Sequence, residues 1–223
     1  MPLAKRAGKL DRVTADERAP SPLPRRLILA SASPRRRELF AQLGLPFEVR
    51  AAQVDETPQP GETAESFVRR LSREKALAVA AQETPGPIII AADTTVMLDG
   101  AILGKPADAD EAADMLRRLR GRIHTVLTAI TLLDTATGTL VTDLATTSVT
   151  MRDYTDEEIA AYVASGDPLD KAGAYAIQHP DFHPVATIEG SYTNVVGLPL
   201  DRVVAALERL GVLVGTHRNS GDC

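Results

Sequence analysis

The chain has 223 residues, is 44% hydrophobic and carries a formal net charge of −5. That length allows one large domain or two lobes sharing a cleft, and the apolar content is that of an ordinary globular protein. Residues 1–26 hold seven Lys/Arg against three Asp/Glu, while the remainder holds 18 against 27, and so acidic a body argues against nucleic-acid binding as the main function.

No apolar run approaches the ~20 residues that a membrane-spanning helix needs. The first 26 residues lack the apolar segment of a secretory signal, and Asp11, Asp16 and Glu17 argue against a transit peptide. The single cysteine, Cys223, cannot form an intrachain disulfide, which fits a reducing cytosol and a cytoplasmic location. Ala19 to Pro24 reads as an extended linker. These features divide the chain into a disordered basic arm (1–24), a single domain (25–214) and a tail (215–223).

The first predicted element is a short buried strand, Leu27 to Ala30. Ser31 and Ser33 then offer hydroxyls, either of which could cap a helix. Pro34 suits the first helical turn, and Leu39, Phe40 and Leu43 give the helix its apolar side. Arg35, Arg36 and Arg37 thus stand at a helix N-terminus, where the dipole favours anions. The turn is either a solvated basic surface or a phosphate site made from hydroxyls, N–H groups and guanidinium forks. A second strand is expected over Phe47 to Ala51, followed by Asp55-Glu56. A helix over Thr63 to Ala81 has the stripe Ala64, Phe67, Val68 and Leu71. Four residues further, the stripe reaches Lys75, which either snorkels to water or opens onto a cleft that holds phosphate.

Ile88 to Ala92 reads as a central strand ending in Asp93-Thr94-Thr95. Ligands gather at the carboxyl ends of such strands, so Asp93 is a candidate for chemistry; capping a turn with Thr94 is the structural alternative. Asp99-Gly100 predicts a hairpin between Val96–Leu98 and Ala101–Leu103, which delivers Lys105 on the stiff Gly104-Lys105-Pro106 loop. Further expectations are a helix from Asp108 to about Arg120 and two strands, His124 to Leu133 and Thr139 to Met151. Thr155 and Glu158 form a capping box for a helix ending near Gly166. A short strand is expected to end at Gln178, whose amide reads a base edge or bonds backbone. Pro180 and Pro184 forbid a helix that would pair His179 with His183 as metal ligands. A final amphipathic helix carries Val203, Val204, Leu207 and Leu210.

The chain has no Walker-A loop, dinucleotide-binding glycine fingerprint, metalloprotease helix or nucleophile elbow. It does carry, in order, Ser31-Ala32-Ser33-Pro34-Arg35-Arg36, Asp55-Glu56, Arg73-Glu74-Lys75-Ala76, Ala92-Asp93-Thr94, Gly104-Lys105-Pro106, Asp170-Lys171-Ala172-Gly173-Ala174-Tyr175 through Gln178, and Gly197-Leu198-Pro199-Leu200. Over residues 27–210 this series resembles the Maf (septum-formation-inhibitor-like) family of nucleoside triphosphate pyrophosphatases. The resemblance implies an inosine-triphosphatase-like α/β fold, an elongated mixed sheet with flanking helices and a cleft between two lobes. It also implies a homodimer, a nucleoside triphosphate substrate and a divalent cation, Mg²⁺ or Mn²⁺.

The residues support that chemistry. Arg35, Arg36, Lys75 and Lys105, with Ser31 and Ser33, can meet the roughly four negative charges of a triphosphate and of a leaving pyrophosphate. Asp93 could accept a proton from water or bind the metal, and the resemblance implies the proton acceptor. Glu56 is the second carboxylate placed near a metal, whose hard oxygen ligands suit Mg²⁺. Arg35, Thr94 and Gln178 match the specificity positions of the family group that prefers dTTP and UTP. The chain departs from that group at His179-Pro180-Asp181-Phe182-His183-Pro184, where those relatives have a glycine-rich turn. A division regulator that binds nucleotides, with incidental catalysis, is the alternative reading; Asp93 and Glu56 beside four cations favour the enzyme.

Overall fold

The computed structural model describes residues 25–215. The expected arm (1–24), and all but the first residue of the expected tail, lie outside that range. Ile88, Ile89 and Ile90 are fully buried at the centre of a mixed sheet. Burial of each such side chain contributes about 1.5–3 kcal/mol. The sheet has seven strands in the order β2-β1-β3-β5-β6-β7, with β4 paired to β3. These are β1 (Leu27–Leu29), β2 (Glu48–Val49), β3 (Ile88–Leu98), β4 (Ala101–Leu103), β5 (Ile123–Asp134), β6 (Leu140–Met151) and β7 (Val185–Glu189). β1 runs parallel to β2 and β3, and every other pairing is antiparallel.

The helices are α1 (Pro34–Ala41), α2 (Ala64–Ala80), α3 (Ala109–Leu119), α4 (Asp156–Ala164), α5 (Tyr192–Val196) and α6 (Leu200–Arg209). α1, α2, α3 and α4 each start at a side-chain cap, whereas α6 follows Pro199, which supplies none. Ser33, not Ser31, caps α1 with Pro34 as its first residue, Thr63 caps α2 and Asp108 caps α3. Thr155 and Glu158 close a capping box on α4, as the sequence predicts. The α2 stripe is buried through Lys75 and Val79. On β3 the period of two decides which residues meet which helix. Ile89 and Ala91 pack under α2, while Ile88, Ile90 and Ala92 pack with α1 and α6. No helix of the described residues is long and apolar enough to cross a membrane.

Three expectations change. β3 does not stop at Ala92 but runs on to Leu98, because Asp93, Thr94 and Thr95 pair with Ala129, Thr128 and Leu127 of β5. Asp99 and Gly100 then form the expected turn, with φ of 51° and 80°. The strand predicted to end at Gln178 is absent. Two 3-10 turns, Asp167–Asp170 and Ala172–Ala174, stand in its place, and Gln178 lies in the turn that follows. Positive φ at Gly173 (71°) and Ala174 (58°) reverses the chain and precludes a ladder. The strand that pairs with β6 is instead the β-branched run beginning at Val185. The second strand is shorter than expected, Glu48–Val49 alone.

His124 of β5 is 2% exposed, and its Nε2 lies 2.8 Å from the buried Tyr175 hydroxyl, while Nδ1 has no protein partner. Burial pushes this imidazole down to about 4 from the ordinary 6.5 of histidine. The folded protein therefore binds the His124 proton less readily than the unfolded chain. Its contribution to stability is complete above about pH 6.5 and is lost as pH falls towards 4. Denaturant unfolding at pH 7.5 and 5.0 should show about 2 kcal/mol more acid destabilisation in the wild type than in His124→Gln. Equal losses in the two proteins would show that His124 is not held neutral.

Candidate active site

β3 has a gap along one edge. β1 pairs with Ile88–Ile90 and β4 with Val96–Leu98, so among the described residues no strand covers 91–95 on that side. A cleft of about 780 Å³ opens at this gap. All ten residues singled out in the sequence line it: Ser31, Ser33, Arg35, Arg36, Glu56, Lys75, Asp93, Thr94, Lys105 and Gln178. Asp93 is therefore a mid-strand residue at a break in the sheet, not a residue at a strand end. The alternation along β3 sends Asp93 towards α2 and Thr94 towards α1.

On the α2 side, the Lys75 Nζ stands 2.6 Å from Asp93 Oδ1 and 2.6 Å from Glu56 Oε1. Lys105 Nζ approaches the other Glu56 oxygen at 3.0 Å. Lys75 thus neither snorkels nor stands free; it bridges two carboxylates. Burial raises the Asp93 carboxyl above the usual range, opposed by the charges of Lys75 and Arg36. For Glu56, burial also opposes ionisation, but the hydrogen bonds and charge of Lys75, then Lys105, hold it down at about 2. Two carboxylates on one Nζ form a pocket for positive charge. Among the described residues no group of three or more His, Cys, Asp or Glu is arranged to hold a metal. A cation at Glu56 and Asp93 would therefore complete its shell from water and phosphate, as Mg²⁺ commonly does.

On the α1 side, Arg36 fills the gap. Its Nη1 donates to Ala92 O at 2.7 Å, its Nε to Gly197 O at 2.7 Å and its Nη2 to Thr94 Oγ1 at 2.9 Å. The guanidinium takes the place of a neighbouring strand at Ala92. Thr94 Oγ1 also lies 2.9 Å from Thr128 Oγ1, and Thr128 donates to Asn194 O. Gly197, at φ 116°, permits this approach; a Cβ there would stand 3.3 Å from Thr94 Oγ1 and 3.4 Å from Arg36 Nε. Arg35 lies 3.6 Å from Asp170 Oδ2. The far wall of the cleft is residues 169–178, brought close by Gly173, where a Cβ would meet Val96 Cγ2 at 2.9 Å. Gln178 is exposed on that wall.

The sequence shows Asp170-Lys171 within a motif but assigns neither residue a site role, and both also line the cleft. Lys171 is 6% exposed, with its Nζ 2.8 Å from Asp167 Oδ1 and 2.6 Å from Asp170 Oδ1. The available signal was the spacing of Asp167, Asp170 and Lys171 in a glycine- and alanine-rich stretch too small to fill a core. The arrangement can bind an anion between Arg35 and Lys105, and it places a carboxylate of raised proton affinity beside that anion.

The likeness of the chain to known proteins extends over most of its length. Residues 26–210 match the family model of Maf-like proteins. A Myxococcus xanthus (strain DK1622) protein named dTTP/UTP pyrophosphatase is 55% identical over 186 residues, covering 83% of this chain and 93% of that protein. An Escherichia coli O157:H7 protein of the same name is 50% identical over 187 residues, covering 84% of this chain and 94% of that protein. A solved HAM1 protein from Coxiella burnetii overlays with a TM-score of 0.50 at 16% identity, over 82% of this chain and 98% of that one. This last likeness is one of fold, and it agrees with the fold that the sequence resemblance implies. With a family match that spans nearly every described residue, the chain belongs to the Maf-like protein family.

Proposed function

We propose that this chain hydrolyses nucleoside triphosphates at the α–β bond, releasing a nucleoside monophosphate and pyrophosphate, with dTTP and UTP preferred. The observation that carries the reading is the convergence of Asp93 and Glu56 with Arg35, Arg36, Lys75 and Lys105 in one cleft. The relatives named dTTP/UTP pyrophosphatase support it. The same reading includes the homodimer and cytoplasmic location implied by the family resemblance.

Asp93 accepts a proton from water as the water oxygen bonds to the α-phosphorus. The α–β bridging bond breaks, and its electron pair leaves with pyrophosphate. Lys105 and Arg35, together with the Ser31 and Ser33 hydroxyls, bind the triphosphate oxygens. Lys75 stabilises the ionised form of Asp93 against the effect of burial and adds positive charge near the leaving group. Arg36 holds the backbone at Ala92 and Gly197, which keeps Asp93 and Thr94 in register. Glu56 and Asp93 are the residues that would hold Mg²⁺ or Mn²⁺. When bound, such a cation supplies charge neutralisation and Lewis-acid polarisation of the phosphoryl oxygens. The Gln178 amide offers one donor and one acceptor in the plane, matching the carbonyl and N–H of thymine or uracil, with Arg35 and Thr94 as the other specificity positions.

A panel of nucleoside triphosphates, with pyrophosphate and orthophosphate measured separately, should give monophosphate plus pyrophosphate, fastest on dTTP and UTP. Diphosphate plus orthophosphate would overturn the assigned bond. Asp93→Asn should lower turnover by ~10² or more without recovery at raised Mg²⁺. The lost charged hydrogen bond to Lys75 should cost about 1–3 kcal/mol of stability, limited because Lys75 retains Glu56. Recovery with Mg²⁺ would leave Asp93 a ligand alone and take the proton-acceptor role from it; near-normal turnover would remove it from the chemistry.

A further inference from the structure

Tyr162 of α4 does not line the cleft, yet its hydroxyl touches two points of the segment that presents Gln178. It is 2% exposed. Its hydroxyl donates to Asp167 Oδ2 at 2.7 Å and accepts from Ala176 N at 3.0 Å. The second bond fixes the chain two residues before Gln178. The first begins a polar relay: Asp167 binds Lys171, Lys171 binds Asp170, and Asp170 pairs with Arg35. The Tyr162 ring is also held between two members of the loop that departs from the family pattern. Phe182 stacks on it at 4.4 Å, and His179 meets it edge-on at 4.8 Å. His179 Nδ1 accepts from the Asp181 and Phe182 amides at 3.2 and 2.9 Å, so the imidazole closes this loop from within.

We infer that Tyr162 is a positioning residue for base recognition, its hydroxyl tying the Gln178 turn at Ala176 to the Asp167–Lys171 part of the same wall. This inference rests on the proposed nucleotide reading. Burial, then the acceptance of the phenolic hydrogen by Asp167, raises the phenol above its usual range, so the hydroxyl remains a donor at neutral pH. Lys171 and the Tyr162 hydroxyl hold the Asp167 carboxyl below its usual range against the opposing effect of burial. The donor and acceptor roles along the relay are therefore fixed in one sense. The loop 179–184 does not enter the triphosphate end of the site. It braces the ring that aligns the base end, which gives its sequence a route to substrate choice without contact with substrate.

The test uses UTP and CTP kinetics and thermal unfolding of the full chain for the wild type, Tyr162→Phe, Asp167→Asn, Gln178→Ala and Tyr162→Phe/Gln178→Ala. Tyr162→Phe keeps the ring and the packing. It should raise KM for UTP roughly five-fold, the weight of one buried hydrogen bond, with kcat within about two-fold and a weaker preference for UTP over CTP. Asp167→Asn, which cuts the relay from the other end, should move KM in the same direction. In the Gln178→Ala background the Tyr162 change should add little, since the group it positions is gone. A fall in unfolding temperature with KM unchanged, an equal loss of kcat on both nucleotides, or full additivity with Gln178→Ala would overturn the inference. A wild type that prefers UTP, with neither variant moving KM, overturns the inference alone. A wild type without that preference, and indifferent to Gln178→Ala, overturns the base-reading assignment and the inference with it.

Discussion

The site is organised by one ammonium group in a place where an ammonium is costly. Lys75 is 8% exposed and lies on the buried stripe of α2. Removing a charge of this kind from water costs several kcal/mol, and only close, well-oriented partners offset it. Asp93 and Glu56 supply them, each at 2.6 Å. The constraint propagates outward. Asp93 must face α2, so Thr94 must face α1 on the next step of the pleat. Glu56 must reach inward from the segment between β2 and α2. Lys105 then follows Glu56 at the mouth of the cleft. Placement of these four groups follows from a helix stripe, a strand alternation and a hairpin.

The cations of the cleft differ in how firmly they are held, and this separates their roles. Arg36 donates three hydrogen bonds to two carbonyls and a hydroxyl, which makes it part of the scaffold at the sheet gap. Lys105 and Arg35 have carboxylate partners that face solvent. The Asp170 side chain is 64% exposed, and those of Lys105 and Glu56 are 55% and 41% exposed. Ion pairs in such settings contribute about 0–1 kcal/mol, so an incoming polyanion exchanges them readily. On the proposed reading, the charge-assisted bonds to phosphate oxygens that would replace them are stronger. The site can therefore remain ordered when empty and still release two cations to a triphosphate.

Much of this was legible in the sequence, because the local signals agree with the fold. The α2 stripe, the Thr155–Glu158 capping box and the Asp99-Gly100 hairpin all form where pattern and turn chemistry place them. The ten expected site residues all reach one cleft, delivered by the start of α1, the buried stripe of α2, the gap in β3 and the loops beside them. What escaped was non-local. Asp93-Thr94-Thr95 looks like a strand end because it is polar, but ten consecutive pairings with β5 carry the strand through it. Backbone pairing with β5 outweighs the local polarity. Gln178 looks like a strand end because its neighbours are apolar, yet the left-handed Gly173 and Ala174 turn the chain first. The partners of Arg36, and the hydroxyl of Tyr162 at Ala176, join positions 161 and 14 residues apart, and no local pattern encodes them.

On the proposed reading, the buried Lys75–Asp93 pair is retained for chemistry and not for stability. Replacing a buried ion pair by apolar residues of similar volume is often neutral, or stabilising by about 1–4 kcal/mol. The most direct measurement is therefore thermal unfolding and UTP turnover of the double variant Lys75→Met/Asp93→Leu. This variant should unfold at or above the wild-type temperature, with turnover reduced to background. A folded double variant that still turns over UTP, or one destabilised as severely as a protein with a single unpaired charge, would contradict it.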